Sequence, residues 1–276
     1  MTGREIRLQR LFSGGNAVVV AIDHGEFDGP LPGMIDMPEV IKKVDPSVSA
    51  VLLSPGMLSH CGHAFNYKGA PMAIVRLNWS TVYCFHWNYN DADTVPAMSA
   101  TDAAAAGADI ALVSLTLQTG SEARDAANVE IFCKHAAEAK RLGMPVVGEC
   151  FPARSDKLTR QQMHEQVYRA CRIVAELGAD LIKTFYTYKF GEVTESCPIP
   201  ILGLGAEKTP KQIQALELAE QIVQGGGRGV VFGRNAMQAP NPVAFQRALC
   251  DVVQKGVGAA EALRKYRLTE VRALRE

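Results

Sequence analysis

Eight short apolar runs, set apart by helical patterns and polar turns, confine this chain to a parallel sheet covered on both faces. The runs span residues 17–22, 49–53, 72–77, 109–114, 145–150, 179–184, 199–203 and 229–232. Strands shielded from water on both sides read as near-continuous hydrophobic segments, and these do. Between them the spacing predicts helices over 124–142, stopping at Gly143 before Pro145, and over 161–177, with Val167, Ala170, Cys171, Val174 and Leu177 on one stripe and Gly178 as terminator. A third helix over 211–224 ends at Gly225 in the same way. This rhythm of helix, glycine and strand is that of repeated βα units. An open doubly wound sheet shares it, but eight strands without a GxGxxG loop favour an α/β fold of the (β/α)8 TIM barrel type.

Length fits that expectation. A chain of 276 residues with 47% hydrophobic content suits one barrel of about 250 residues, so residues 1–276 are expected to form one TIM-barrel domain with short N-terminal and C-terminal extensions. Lys plus Arg and Asp plus Glu both total 29. Such neutrality gives no electrostatic case for nucleic acid or an anionic membrane, and it suits self-association. Seven cysteines, an odd number without CxxC pairs, argue for reduced thiols in a cytoplasmic protein. Cys61 and His63, with His60 beside them, look like metal ligands, yet no second cluster completes a tetrahedral site, and no metal is expected. Residues 1–10 lack the apolar core of a signal peptide, and no run approaches about 18 apolar residues, so no membrane association is expected.

Two segments interrupt the rhythm. Residues 78–89 hold both tryptophans and more aromatic residues than any other stretch. Following a strand, they should lie over the barrel face where active sites are built, as a lid or as a subunit contact. Beyond Val257, the segment 260–266 predicts a terminal helix packed outside the barrel or on a neighbour.

Barrel side chains alternate inward and outward, and catalytic groups come from the carboxyl ends of the strands. Lys183 closes the sixth run. Burial there disfavours an ammonium ion and so favours the free amine, which attacks carbonyls, although a lysine at a strand end can equally be salt-bridged. Asp23, at the end of the first run, can orient a hydroxyl, move a proton or hold the lysine. His24 beside it reads as a structural hydrogen-bonder or a proton carrier. Glu149 shares the inward face with Phe151 two residues on; it is expected either as a general acid or base with a raised pKa, or as a partner of Lys183 or Arg154. The turns after the seventh and eighth runs offer Gly205, Ala206, Lys208, Gly233 and Arg234 as a phosphate cradle. Glu207 suits that role only if it points away.

These strand-end motifs resemble the DeoC/FbaB group of class I aldolases. The resemblance is carried by Ala21-Ile22-Asp23-His24-Gly25 with Gly29-Pro30, by Leu181 to Tyr186 around Lys183, by Cys197-Pro198-Ile199-Pro200-Ile201 with the Lys208 loop, and by Gly233-Arg234-Asn235 with Gln238. It extends over nearly the whole chain and is similar both to archaeal-type fructose-bisphosphate aldolases and to thiolases of phosphorylated autoinducer 2. It implies a TIM barrel in which Lys183 forms a Schiff base with a phosphorylated ketone, Asp23 stands at the first-strand aspartate, and the two glycine turns take the phosphate. It also implies no cofactor and a homo-oligomer, commonly a decameric ring.

One departure matters. Aldolases of the archaeal type carry a proton-donating tyrosine after the fifth strand, where this chain reads Cys150-Phe151-Pro152-Ala153-Arg154. Phenylalanine has no proton to give. Either Glu149, His24, Asp23 or a water takes that role, or the reaction differs from fructose-bisphosphate cleavage. Four readings therefore stay open: aldol chemistry on another phosphorylated ketose or diketone, acyl transfer to coenzyme A of the 3-hydroxy-5-phosphonooxypentane-2,4-dione thiolase kind, a transaldolase-like synthesis of aromatic precursors, and a non-catalytic barrel that binds a sugar phosphate.

Overall fold

The computed structural model describes residues 1–89 and 91–268; the part of the expected C-terminal extension beyond residue 268 lies outside them. Among the described residues ten strands follow one another: β1 (Ala17–Ala21), β2 (Ala50–Leu53), β3 (Met72–Arg76), β4 (Asn78–Ser80), β5 (Thr94–Pro96), β6 (Ile110–Leu115), β7 (Val146–Cys150), β8 (Leu181–Phe185), β9 (Ile201–Leu204) and β10 (Gly229–Phe232). Eight of them pair in parallel and close a barrel in the order β1-β10-β9-β8-β7-β6-β3-β2. Each predicted run becomes one barrel strand, with ends shifted by no more than two residues. The expected (β/α)8 barrel is therefore the observed fold. The antiparallel pair β4–β5 was not expected, and it frames the aromatic segment after β3.

Strand alternation splits the apolar residues into two cores. Ala17, Val19, Ala50, Leu52, Met72, Ile74, Ile110, Leu112, Val147, Leu181, Leu202 and Val231 fill the barrel interior, and Leu11 joins them from the N-terminal helix Gly3–Leu11, at the end of the barrel away from the strands' carboxyl ends. The alternate residues, among them Val18, Val20, Val51, Ala73, Val113 and Ile182, face the surrounding helices. The predicted helices appear as Glu122–Arg141, Arg160–Glu176 and Gln212–Gln224. Ser121 caps the first by accepting from the Arg124 amide, and Thr159 opens the second with a capping box to Gln162.

Gly148 shows how closely one helix approaches the sheet. A Cβ at this outward position of β7 would lie 2.1 Å from Val174 Cγ1 and 3.0 Å from Ala179 Cβ, so the position has room only for hydrogen. Its neighbour Glu149 faces the other way, into the barrel. The terminal helix, Ala259–Lys265, packs outside the barrel against the helices Gln212–Gln224 and Pro242–Lys255. It is clamped through buried Asp251, whose carboxylate accepts from Lys255 Nζ at 2.7 Å, Lys265 Nζ at 2.5 Å and Tyr266 Oη at 2.9 Å.

Candidate active site

Above the apolar layers of the interior, the inward positions become charged. The parity that points Val147 and Leu181 into the barrel also points Glu149 and Lys183 there, and the strand register sets Ser114 beside Glu149 and Glu149 beside Lys183. Arg76, two residues beyond Ile74 on β3, enters the same layer, and Asp23 joins it just past β1. All four charged groups are buried, with Arg76 and Glu149 each 1% exposed and Lys183 7%.

They form one continuous network. Lys183 Nζ lies 2.5 Å from Glu149 Oε1, and Arg76 Nη2 lies 2.6 Å from Glu149 Oε2. Arg76 also grips Asp23 through a single oxygen: Nε donates to Oδ2 at 2.9 Å, and Nη2 sits 2.8 Å from it. Two cations and two anions leave the cluster formally neutral, which makes its burial tolerable. Burial pushes the Asp23 carboxyl up, but the opposing pull of Arg76 and Lys183 holds it at about 2. Glu149 follows the same balance and stays below the usual carboxylate range. Of the two expectations for Glu149, the pair with Lys183 is the one observed, and the raised pKa is corrected because Arg76 adds a second cation that the sequence did not reveal. Arg154, the other partner considered for it, is exposed.

Two further groups border the network. Burial lowers the His24 pKa, and its Nδ1 stands 3.9 Å from Asp23 Oδ1. Burial raises the Glu26 carboxyl to about 8; Arg76 opposes the rise, and the charges of Asp23 and Glu149 add to it. Glu26 therefore keeps its proton at neutral pH.

An aromatic cover closes over these charges. Phe27, Tyr83 and Phe151 cluster with Cys84, flanked by Trp79, Val82 and Phe185. The Phe151 ring meets Tyr83 at 4.7 Å and Phe185 at 4.9 Å, both edge-on. The Arg76 guanidinium lies over the rings of Tyr83, at 4.8 Å, and Phe27, at 5.1 Å. The segment 79–89 thus lies across the mouth, tied down where Trp79 Nε1 donates to the Glu26 carbonyl and Trp87 Nε1 to that of Phe27. Its outer residues Phe85, Trp87 and Tyr89 are more than half exposed. One segment therefore has both a buried face toward the site and an apolar outer face.

The loops after β9 and β10 flank the same mouth. Asn235 staples them together: Nδ2 donates to the carbonyls of Gly205 and Glu207, and Oδ1 accepts from the Thr209 amide. Arg234 Nη2 donates to the Ala206 carbonyl at 3.1 Å. Ala206 is left-handed at φ +50, while Lys208 and Glu207 are exposed. The Gly205 amide is already committed to the Val231 carbonyl at 3.1 Å. Gly233 makes room for a neighbour: a Cβ there would stand 2.2 Å from His24 Cε1 and 2.8 Å from the Ala21 carbonyl oxygen.

The structure thus brings Lys183, Glu149, Asp23 and His24 together and sets the glycine loops at the same end of the barrel. Arg76, Glu26 and Tyr83 are functional candidates that sequence reasoning missed. Arg76 carried a readable signal, since an arginine inside the apolar run 72–77 at the inward parity has no other place to go. Tyr83 and Glu26 carried none, because their positions depend on how two loops fold over the mouth. The Cys61 group does not assemble: Cys61 is buried and directs its thiol to the Met37 carbonyl, while His60 and His63 are exposed. Among the described residues no group of three or more His, Cys, Asp or Glu is arranged to hold a metal ion.

Known proteins resemble this chain in sequence and fold. The sequence profile of the DeoC/LacD family aldolases matches residues 17–239. The chain is 30% identical over 269 residues to an uncharacterized aldolase of Saccharolobus solfataricus, covering 96% of this chain and 99% of that protein. It is 29% identical over 273 residues to a 3-hydroxy-5-phosphonooxypentane-2,4-dione thiolase of Escherichia coli, covering 96% of this chain and 87% of the thiolase. Among solved structures, a Schiff-base-forming fructose-1,6-bisphosphate aldolase superposes with a TM-score of 0.77 at 25% identity, over 91% of this chain and 99% of the other. Family profile, full-length relatives and barrel agree, and the chain belongs to the DeoC/LacD aldolase family as an enzyme of the class I aldolase type or a close relative of it.

Proposed function

We propose that this enzyme makes or breaks a carbon–carbon bond in a small phosphorylated ketose or diketone, through a Schiff base on Lys183. The observation that carries the reading is the 2.5 Å contact between Lys183 Nζ and Glu149 Oε1 inside a buried site. An amine needs a base at hydrogen-bond distance to shed its proton, and Glu149 is one. The ammonium gives its proton to the Glu149 carboxylate, and the free amine adds to the substrate ketone as a carbinolamine. Loss of water then leaves a protonated imine, which accepts the electron pair of the cleaving bond. Arg76 keeps Asp23 and Glu149 in place as charges change hands. Asp23 is the candidate to orient the substrate hydroxyl, and His24 stands beside it as a second polar contact.

The substrate phosphate is assigned to the loops of Gly205, Ala206, Lys208, Gly233 and Arg234. Arg234 and Lys208 supply positive charge there, and the amides of the left-handed turn at Ala206 and of the turn at Gly233 supply donors. Gly205 serves this cradle by shape, since its own amide is used within the sheet. The proposal extends to a cytoplasmic homo-oligomer; the free state of all seven cysteines fits a reducing compartment.

A second reading has a specific support. The similarity to a thiolase, together with Phe151 in place of a tyrosine, favours acyl transfer from a phosphorylated diketone to coenzyme A. One experiment tests both. The protein is incubated with phosphorylated ketoses and diketones, reduced with borohydride, and mapped by peptide mass spectrometry, with Lys183→Ala as control. A ligand-dependent mass increase confined to the Lys183 peptide is expected. Absence of any adduct, with phosphate ligands demonstrably bound, rejects Schiff-base chemistry. Acyl-coenzyme A formed when the thiol is present selects the thiolase reading over release of an aldehyde.

A further inference from the structure

The Schiff-base route needs a group that hands a proton to the departing carbinolamine oxygen, and Phe151 cannot be that group. The buried cluster offers a phenol beside it. Tyr83 comes from the turn Thr81–Tyr83 after β4, is 5% exposed, and sets its ring edge-on to Phe151 at 4.7 Å. The phenol lies within hydrogen-bonding reach of both Glu149 and Ser114. A buried phenol beside a carboxylate is placed to pass a proton to or from it. Arg76 Nη1, on the guanidinium stacked over the same ring, is buried and unpartnered among the described residues. The phenol and this unpartnered donor, both beside the Lys183–Glu149 pair, fit one ligand oxygen.

We propose that Tyr83 is the catalytic proton carrier of this site, relaying a proton from Glu149 to the substrate oxygen as the Lys183 carbinolamine loses water, while Arg76 Nη1 steadies that oxygen. The proposal rests on the Schiff-base reading above. The proton balance closes. Glu149 takes one proton from the Lys183 ammonium, and the amine adds to the ketone to give the neutral carbinolamine. Tyr83 then gives its phenolic proton to the carbinolamine hydroxyl, the carbon–oxygen bond breaks, and water leaves. The nitrogen lone pair forms the iminium bond, and Tyr83 recovers a proton from the Glu149 carboxyl. The net change is ammonium plus ketone to iminium plus water, with Tyr83 and Glu149 restored.

Burial and the neighbouring Glu149 charge push the phenol pKa well above its ordinary value, against the pull of Arg76. A free phenolate is therefore unfavourable, and the two transfers must be concerted, which the closeness of Glu149 allows. The other candidates fit less well. Burial lowers the His24 pKa, and its Nδ1 faces Asp23 Oδ1 rather than the oxygen that Arg76 holds. Glu26 holds a proton but senses Glu149 through charge alone.

The test uses dihydroxyacetone phosphate as the ketone probe and follows reducible adduct on Lys183 by rapid mixing and quenching into borohydride. Tyr83→Phe keeps the ring packed against Phe151 and Arg76 and removes only the hydroxyl. It is expected to slow adduct formation by about 100-fold or more while probe affinity, measured by equilibrium binding, stays within about threefold. The double variant Tyr83→Phe with Phe151→Tyr, which returns a phenol to the adjoining ring position, is expected to recover part of the rate. Wild-type protein should also show a normal solvent deuterium isotope effect on adduct formation, a readout that needs no variant. Adduct formation by Tyr83→Phe at the wild-type rate, or absence of the isotope effect, overturns the role of Tyr83 while leaving the Schiff base standing. Loss of affinity and rate in equal measure makes Tyr83 a packing residue and also overturns the proposal. No adduct on wild-type protein overturns the Schiff-base reading and this relay with it.

Discussion

At the scale of single residues, the site depends on balancing charge where water is excluded. Arg76 decides the balance: it pairs with two carboxylates at once and, with Lys183 as the second cation, lets Glu149 stay ionised beside the lysine. Removing one member of such a buried set typically costs about 3–5 kcal/mol, because the partner charge is left uncompensated. The titrating groups pull stability in opposite directions with pH. Asp23 falls from 3.8 to about 2 on folding, so its contribution is present above pH 3.8 and is lost as pH falls through about 2. Glu26 rises from 4.5 to about 8, so its contribution is present below pH 4.5 and is lost as pH rises through about 8. Glu26→Gln cannot ionise and should flatten the decline between those values. Urea unfolding at a series of pH values measures this; an unchanged alkaline slope in the variant would show that Glu26 is not the group responsible.

At the scale of elements, alternation along each strand does most of the positioning. Glu149 faces the site because Gly148 faces the helix Arg160–Glu176, and that helix can come close because Gly148 has no side chain. Gly148→Ala forces its methyl group into Val174 and should destabilise the protein by about 1–3 kcal/mol, read as a lowered midpoint in chemical denaturation at constant slope. A midpoint equal to wild type would mean that helix and strand have slack between them. Register does the rest, setting Ser114, Glu149 and Lys183 in one row across three neighbouring strands. The aromatic segment obeys neither rule. It is held by the short pair β4–β5 and by indole donors to loop carbonyls, so its path depends on contacts between loops distant in sequence.

At the scale of the whole molecule, barrel closure brings β1 and β10 together and thereby places His24 against Gly233. The proposed homo-oligomer also belongs to this scale, because Phe85, Trp87 and Tyr89 present an apolar outer face that a second copy can cover. Sedimentation velocity should give a mass several times that of the chain, and a monomer across a wide concentration range would reject the assembly. The eight strands, the three long helices and the inward parity of Glu149 and Lys183 were legible in the sequence, because each follows from a period of 2 or 3.6 residues acting locally. Arg76 was legible by the same parity and went unread. The lowered Glu149 pKa, the raised Glu26 pKa and the placing of Tyr83 against Phe151 were not legible. Each depends on which side chains from separate strands and loops share one buried volume, and hydrophobic period carries no information about that. The sequence by itself determined a barrel with a lysine at its mouth; the tertiary structure alone decided which acids, which arginine and which phenol surround that lysine, since electrostatics in a buried site depend on distances across the barrel.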